Sequence, residues 1–251
     1  MSIFAEFRKE WRYLLRSYRL LIAGVVLLFF GLTSPVLAKF TPELLNLIPT
    51  GGLTITMPPP TVLDAISQYV KNMAQDGLLL GLLLTMGAIA QEKDKGTAAM
   101  MLVKPLPRGS FLWAKFLSLA AMFAICLAIA GLAAYYYTTL LFQAMDIVNW
   151  LVLNALLFVY VLVIVSITLL CSTITRSQGA AIGIAFGLLV IGWFAGGVLR
   201  LGKYMPGELM SWGARLMQGD TISSWIALGV SLGLIVIPLL AAWQIFKRQE
   251  L

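Results

Sequence analysis

The sequence predicts an all-α membrane protein with six transmembrane helices and both termini in the cytoplasm. Three observations carry this. Of 251 residues, 60% are hydrophobic and only 12% charged, whereas soluble domains run near half apolar and a quarter charged. The runs between charges are long enough to cross a bilayer. The basic residues collect on one side of the topology those runs imply.

Composition also excludes whole classes of function. A mean hydropathy of +0.91 rules out a disordered chain. Two cysteines are too few for a secreted disulfide scaffold. Histidine is absent, which removes Ser-His-Asp and Cys-His triads and His-ligated zinc together.

A helical crossing takes about 20 mostly apolar residues. The charge-free runs enclose 19 residues (Arg19 to Lys39), 15 (Asp76 to Glu92), 30 (Lys115 to Asp146), 29 (Asp146 to Arg176), 23 (Arg176 to Arg200) and 26 (Asp220 to Lys247). The expected spans are 20–38, 76–91, 113–140, 150–172, 180–199 and 223–246. A seventh run, Glu43 to Asp64, encloses 20 residues but holds Pro49, Gly51, Gly52, Pro58, Pro59 and Pro60. Exposed irregular backbone cannot face lipid, so 39–75 reads as an outer loop. The second span is short, and the proline-free stretch Leu63–Gln75 could lengthen it as helix, with Lys71 and Asp76 near the outer headgroups. With the N-terminus inside, inner segments carry 13 basic residues and outer segments five, which orients the chain. The net charge of +7 is then topological, and no nucleic-acid partner is expected.

Residues 2–19 read as an amphipathic helix lying on the membrane. Ile3, Phe4, Phe7, Trp11, Leu14, Leu15 and Tyr18 form an apolar stripe at spacings of three and four, and Arg8, Arg12, Arg16 and Arg19 a basic one. Apolar residues enter the inner leaflet and arginines meet anionic lipid headgroups. Either the helix is a plain anchor, or it is an elbow packed against a cytoplasmic partner. The inner segment 92–112 is charged, with Gly96-Thr97 interrupting a helix end. Thr97 can cap a short helix over Ala98–Val103, which Pro105 and Pro107 end. Residues 173–179 form a short inner turn carrying Arg176. The outer segment 200–222 reads as two short pieces dipping into the membrane, since Trp and Tyr favour the interface.

Glycine pairs four apart recur: Gly77 and Gly81, Gly183 and Gly187, Gly192 and Gly196, Gly229 and Gly233. Such pairs let helices approach closely, and the cluster from Gly183 to Gly197 is the strongest candidate. By the charge-gap ruler no ionisable residue sits mid-span, so an ion-coupled carrier is disfavoured. The polar mid-span residues Asn154, Ser166 and Thr168 suit hydrogen bonds between or within helices. Gly197-Val-Leu-Arg-Leu-Gly-Lys203 imitates a phosphate loop, but Tyr204 stands where Ser or Thr should be. No catalytic constellation is visible, and the chain is not expected to be an enzyme.

The loop after the second span carries a resemblance. Glu92-Lys93-Asp94-Lys95-Gly96-Thr97, then Leu102, then Lys104-Pro105-Leu106-Pro107-Arg108, then Lys115, resembles the signature of ABC-2-type permeases, the membrane subunits of ABC transporters, mostly exporters. The sequence departs at Asp94, where Glu is usual, and at Pro107, where Ser or Thr is usual. The resemblance implies that 92–108 forms a cytoplasmic coupling helix docking in an ATP-binding subunit. It implies a second, smaller contact at 173–179 with Arg176, and an elbow at 2–19 in which Phe7, Trp11, Arg12 and Arg16 are the marked residues. Two copies of the ATP-binding subunit, holding ATP and magnesium, would drive a pair of permeases, identical or paralogous. The chain itself would hold no cofactor and would lie in the cell inner membrane. The competing expectation is a membrane scaffold or assembly factor without transport activity.

Overall fold

The computed structural model describes residues 3–46, 58–94, 108–198, 201–220 and 222–248, with backbone alone at 44–46 and 108. Every regular element among them is helical. The elements are α1 (Ile3–Arg16), α2 (Arg19–Asn46), α3 (Val62–Thr85), α4 (Gly87–Asp94), α5 (Arg108–Leu141), α6 (Ile147–Ile174), α7 (Gln178–Val198), a 3-10 turn (Gly202–Tyr204), α8 (Glu208–Met217) and α9 (Trp225–Arg248). Six helical stretches are long and apolar enough to cross a membrane: α2, α3 with α4, α5, α6, α7 and α9. The protein is therefore a multi-pass membrane protein. Phe111 at the start of α5 stacks on Phe246 near the end of α9, with ring centroids 5.5 Å apart. We call this end the proximal end, and the opposite one distal.

The helix of the second crossing begins at Val62, so residues 62–75 are helix rather than loop. Ala65, Ile66, Tyr69, Val70 and Met73 are buried there, which is why the stretch is ordered. Thr61 and Asp64 close a capping box at its start. At the other end of the chain's first crossing, α2 runs on to Asn46 and contains Pro35 and Pro42. Hydroxyls beside the prolines bond back into their own helix: Thr33 donates to the Phe29 carbonyl at 2.9 Å, Ser34 to Phe30 at 2.5 Å and Thr41 to Leu37 at 2.5 Å.

The hub of the bundle is α6, which packs against α3, α4, α5, α7, α8 and α9. Asp146 caps it, accepting from the amides of Val148 and Asn149. Near its distal end Trp150 donates to the Gly131 carbonyl at 3.1 Å. Asn154 accepts from the Tyr69 hydroxyl at 2.6 Å and donates to the Trp150 carbonyl at 2.9 Å. Ser166 shares its one hydroxyl proton between the Val163 and Leu234 carbonyls, and Thr168 donates to Ile164. The polar mid-span groups thus tie helices together or bond their own turn, as expected.

Tight glycine packing occurs at Gly77 and Gly81. A Cβ on Gly77 would lie 2.6 Å from Cγ2 of Val161, and one on Gly81 2.9 Å from Cγ2 of Ile164. The cluster expected to pack most closely does not do so within this chain. Gly183, Gly187, Gly192 and Gly197 have nothing within 4 Å, and only Gly196 meets a neighbour, Met205. Helix α7 is the least buried crossing.

Asp76 departs from expectation. On α2, Arg19 and Lys39 are 20 residues apart, about 30 Å of helix, which matches the hydrocarbon thickness. Ser34, about 22 Å above Arg19 by the same rise, pairs with Asn72 of α3. Asp76 is four residues closer to the proximal end, which leaves it about 16 Å from the Arg19 level. An acid therefore does sit near mid-membrane, and it is buried. The charge-gap ruler treats every charge as a boundary and so moved Asp76 to the headgroups.

Candidate functional site

The proximal end gathers the buried charged residues other than Asp76: Glu6, Glu10 and Lys115. Its construction starts at a break in the second crossing. Helix α3 stops after Thr85, and α4 restarts at Gly87. A restarted helix leaves its first amides without partners. Ser172, buried near the end of α6, supplies one from another helix. Its Oγ accepts from the amides of Ile89 and Ala90 at 3.0 Å each and donates to the Met86 carbonyl at 2.8 Å. One hydroxyl has one proton and two lone pairs, so this use is complete. Ser172→Ala is expected to lower stability by about 1–2 kcal/mol, read from thermal unfolding in detergent. An unchanged midpoint would show that the break does not depend on the hydroxyl.

Gly87 lets the next element close in. A Cβ there would sit 3.2–3.3 Å from the side chain of Gln178, the first residue of α7. Lys93 donates to the Thr173 carbonyl. The end of α4 and the turn between α6 and α7 are thus joined by Ser172, Lys93 and Gln178. The described start of one inner segment expected to be a contact point, 92–94 of 92–108, adjoins the other, 173–179.

A buried ion network runs from α4 to α5 and α1. Lys115 Nζ lies 2.7 Å from Glu92 Oε1 and 3.1 Å from Glu10 Oε1. Lys9 lies 3.0 Å from Glu6 and 3.6 Å from Glu10. Lys115, Glu6 and Glu10 are all buried. Both ammonium groups face the Phe111 ring, at 4.9 Å for Lys115 and 5.8 Å for Lys9. Burial pulls the Lys9 pKa down, but the Glu6 hydrogen bond and the charges of Glu10, Glu6 and Glu92 outweigh it. Lys9 titrates above the ordinary lysine value. Arg19 closes the side of the junction, donating to the Leu84 carbonyl at 3.3 Å and Gln91 Oε1 at 3.5 Å.

Of the sequence-predicted residues, Glu92 and Lys93 are built into this junction. Asp94 and Arg176 are exposed beside it. Arg108 begins α5. Gly96, Thr97, Leu102, Lys104 and Pro105 lie outside the described residues. On α1, Phe7 and Trp11 are half-buried and stack with centroids 6.1 Å apart. Arg12 and Arg16 are exposed. The inward face of α1 is a surprise. It is the row Glu6, Glu10 and Leu14, and it packs on α5 and α2. Sequence reasoning followed the apolar and basic stripes and passed over Glu6 and Glu10. Their spacing of four, in line with Leu14, was the available signal.

The arrangement makes one mechanical unit of α1, α4, the start of α5 and the end of α6.

Comparison with known proteins agrees with the architecture. Residues 5–206 match the family model described as ABC-2 family transporter protein. The chain is 25% identical over 253 residues to an uncharacterized transmembrane protein, YxlG, of Bacillus subtilis (strain 168), covering 98% of this chain and 97% of that one.

Proposed function

Since the chain belongs to the ABC-2 transporter family, we propose that it is the permease subunit of an ATP-binding cassette exporter in the cell inner membrane. A separate ATP-binding subunit, in two copies, binds ATP and magnesium and hydrolyses the nucleotide. This chain supplies the path and the docking surface and carries out no catalysis. The observation that carries the reading is the proximal junction. Glu92 and Lys93, which open the family-like signature, are bonded to α5 and α6, and through Lys115 to Glu10 of α1. A push from a docked subunit on 92–108 and Arg176 would pass through the Glu92–Lys115–Glu10 bridges and the Ser172 staple into four helices at once. The basic excess on the inner segments favours that side as the cytoplasm.

A second permease completes the path. Supporting it is α7, whose Gly183, Gly187 and Gly192 have no neighbour within 4 Å of an added Cβ. Small residues at four-residue spacing suit close approach of another membrane helix, here α7 of an identical or paralogous permease. Export is favoured by family likeness.

The test is a gentle detergent pull-down of the tagged protein from its native membranes, assayed for magnesium-dependent ATPase activity. The expected result is a co-purifying ATP-binding subunit that is lost when residues 92–104 are replaced. A folded preparation without ATPase would point instead to a scaffold or assembly factor.

A further inference from the structure

Three acids are buried among the described residues: Glu6, Glu10 and Asp76. Glu6 and Glu10 have lysine partners. Asp76 has none. It is 8% exposed, and its Oδ2 is buried without a hydrogen-bond partner. An ionisable group inside a membrane bundle marks a functional site unless a partner explains it.

The surroundings supply no cation. The ionisable groups of α2 are Arg19, Lys39 and Glu43, at its ends. On α5 they are Arg108, its first residue at the proximal end, Lys115, bonded in the junction, and Cys126, Tyr135, Tyr136 and Tyr137. On α6 they are Tyr160 and Cys171, and α7 has none. On α8, Glu208 and Arg215 pair with each other at 2.6 Å. Those of α4 lie at the proximal end, and on α3 itself Lys71 is exposed. No hydrogen bond or ion pair joins any of these to Asp76.

A polar row leads to it. Gln68, Asn72 and Asp76 are spaced by four on one side of α3. Gln68 donates to Asn72 Oδ1 at 3.4 Å, and Asn72 donates to Ser34 Oγ of α2 at 2.9 Å. Gln68 and Asn72 are half-buried. The seam between α2 and α3 thus carries hydrogen-bonding groups from the distal face inward, and they stop at an acid.

We propose that Asp76 is a proton-binding site near mid-membrane, loaded from the distal face along the Gln68–Asn72 row, and that its proton holds α2 and α3 together. The ligand is a proton because Oδ2 has no accessible surface for a larger cation. With the proton on, the carboxyl is neutral and its burial costs far less than that of an anion. With it off, an anion stands in an apolar slab with no counter-charge, and the seam must loosen or admit water. The site is independent of the ATP-binding partner, so it can be tested on the purified chain alone.

The experiment is infrared difference spectroscopy of the full chain in lipid nanodiscs across a pH series, for wild type, Asp76→Asn and Asp76→Glu. Hydrogen–deuterium exchange of peptides covering 62–85 runs in parallel. We expect one protonated-carboxyl band that titrates in wild type, moves in Asp76→Glu and is lost in Asp76→Asn. Exchange in 62–85, corrected for its intrinsic rise with pH, should increase severalfold as the wild-type band disappears and stay flat in Asp76→Asn. Identical carboxyl bands in wild type and Asp76→Asn overturn the proposal, as does an unchanged pH response of exchange in Asp76→Asn. If the asparagine variant does not fold, the glutamate variant decides: a moved titration supports the site, and an unmoved one overturns it.

Discussion

Replacing Lys115 with methionine is expected to lower the unfolding free energy by about 3–5 kcal/mol, among the largest losses from any single change. The side chain of Lys115 is 4% exposed, and those of its partners Glu10 and Glu92 are 8% and 21% exposed. Methionine keeps most of the aliphatic volume against Phe111 and removes only the charge. Two carboxylates that shared the buried ammonium then face each other with one cation fewer, Glu10 keeping Lys9 at 3.6 Å. The cost is that of under-compensated charge in a largely buried cluster rather than of a lost attraction alone. Neutralising an acid as well should therefore recover part of it. Lys115→Met with Glu10→Gln is expected to melt higher than Lys115→Met alone, although the double variant lacks more hydrogen bonds. The check is denaturant or thermal unfolding in detergent with all three variants and wild type. Additive losses would mean that the groups do not share one network. The same single variant should disconnect α4 from α1 and α5, so ATP-driven transport should fall further than folded yield.

Gly77→Ala is the second large effect, at about 1–3 kcal/mol. The added methyl would stand 2.6 Å from Cγ2 of Val161, well inside contact distance. Val161 is fully buried on the hub helix α6, and its branched side chain has little rotamer freedom in a helix. Relief must come from shifting α3 against α6, which also strains the Tyr69–Asn154 bond in the same seam. Val161→Ala should rescue Gly77→Ala, because it removes the atom that clashes, whereas Val161→Ala alone leaves a gap and destabilises. Gly183→Ala gives the contrast. Nothing in this chain lies near its Cβ, so the isolated subunit should tolerate it. Equal losses at Gly77 and Gly183 would contradict this account of the packing.

Much of the fold could be read from the chain because the bilayer is a strict solvent. It demands long apolar helices with satisfied backbones, so charge-free runs reveal the crossings. The N-terminal amphipathic helix was legible from spacing, and so were the short pieces before α9. What was lost shares one cause. Counting gaps between charges assumes that a charge ends a crossing. That fails where a charge is paired in the interior, as at Lys115, seven residues past the start of α5, or where it is buried unpaired, as at Asp76. It also passed over Glu6 and Glu10, since an acidic face looks like solvent until a lysine from a distant helix is seen to meet it. The glycine pairs show a similar limit. Spacing marks which helices can approach closely, but not whether the partner is α6 of the same chain, as at Gly77, or lies outside it.

The most direct test of the central claim is site-directed cross-linking in native membranes. Single cysteines would replace Asp94 and Arg176 at the proximal end and Tyr136 at the distal end, on a background with Cys126 and Cys171 changed to alanine. A short bifunctional thiol–amine reagent should join the cysteines at 94 and 176 to one co-purifying ATP-binding subunit and leave the one at 136 unlinked. Cross-links from 136 alone, or none to any ATP-binding subunit from a folded protein, would contradict the assignment of the junction as the docking site.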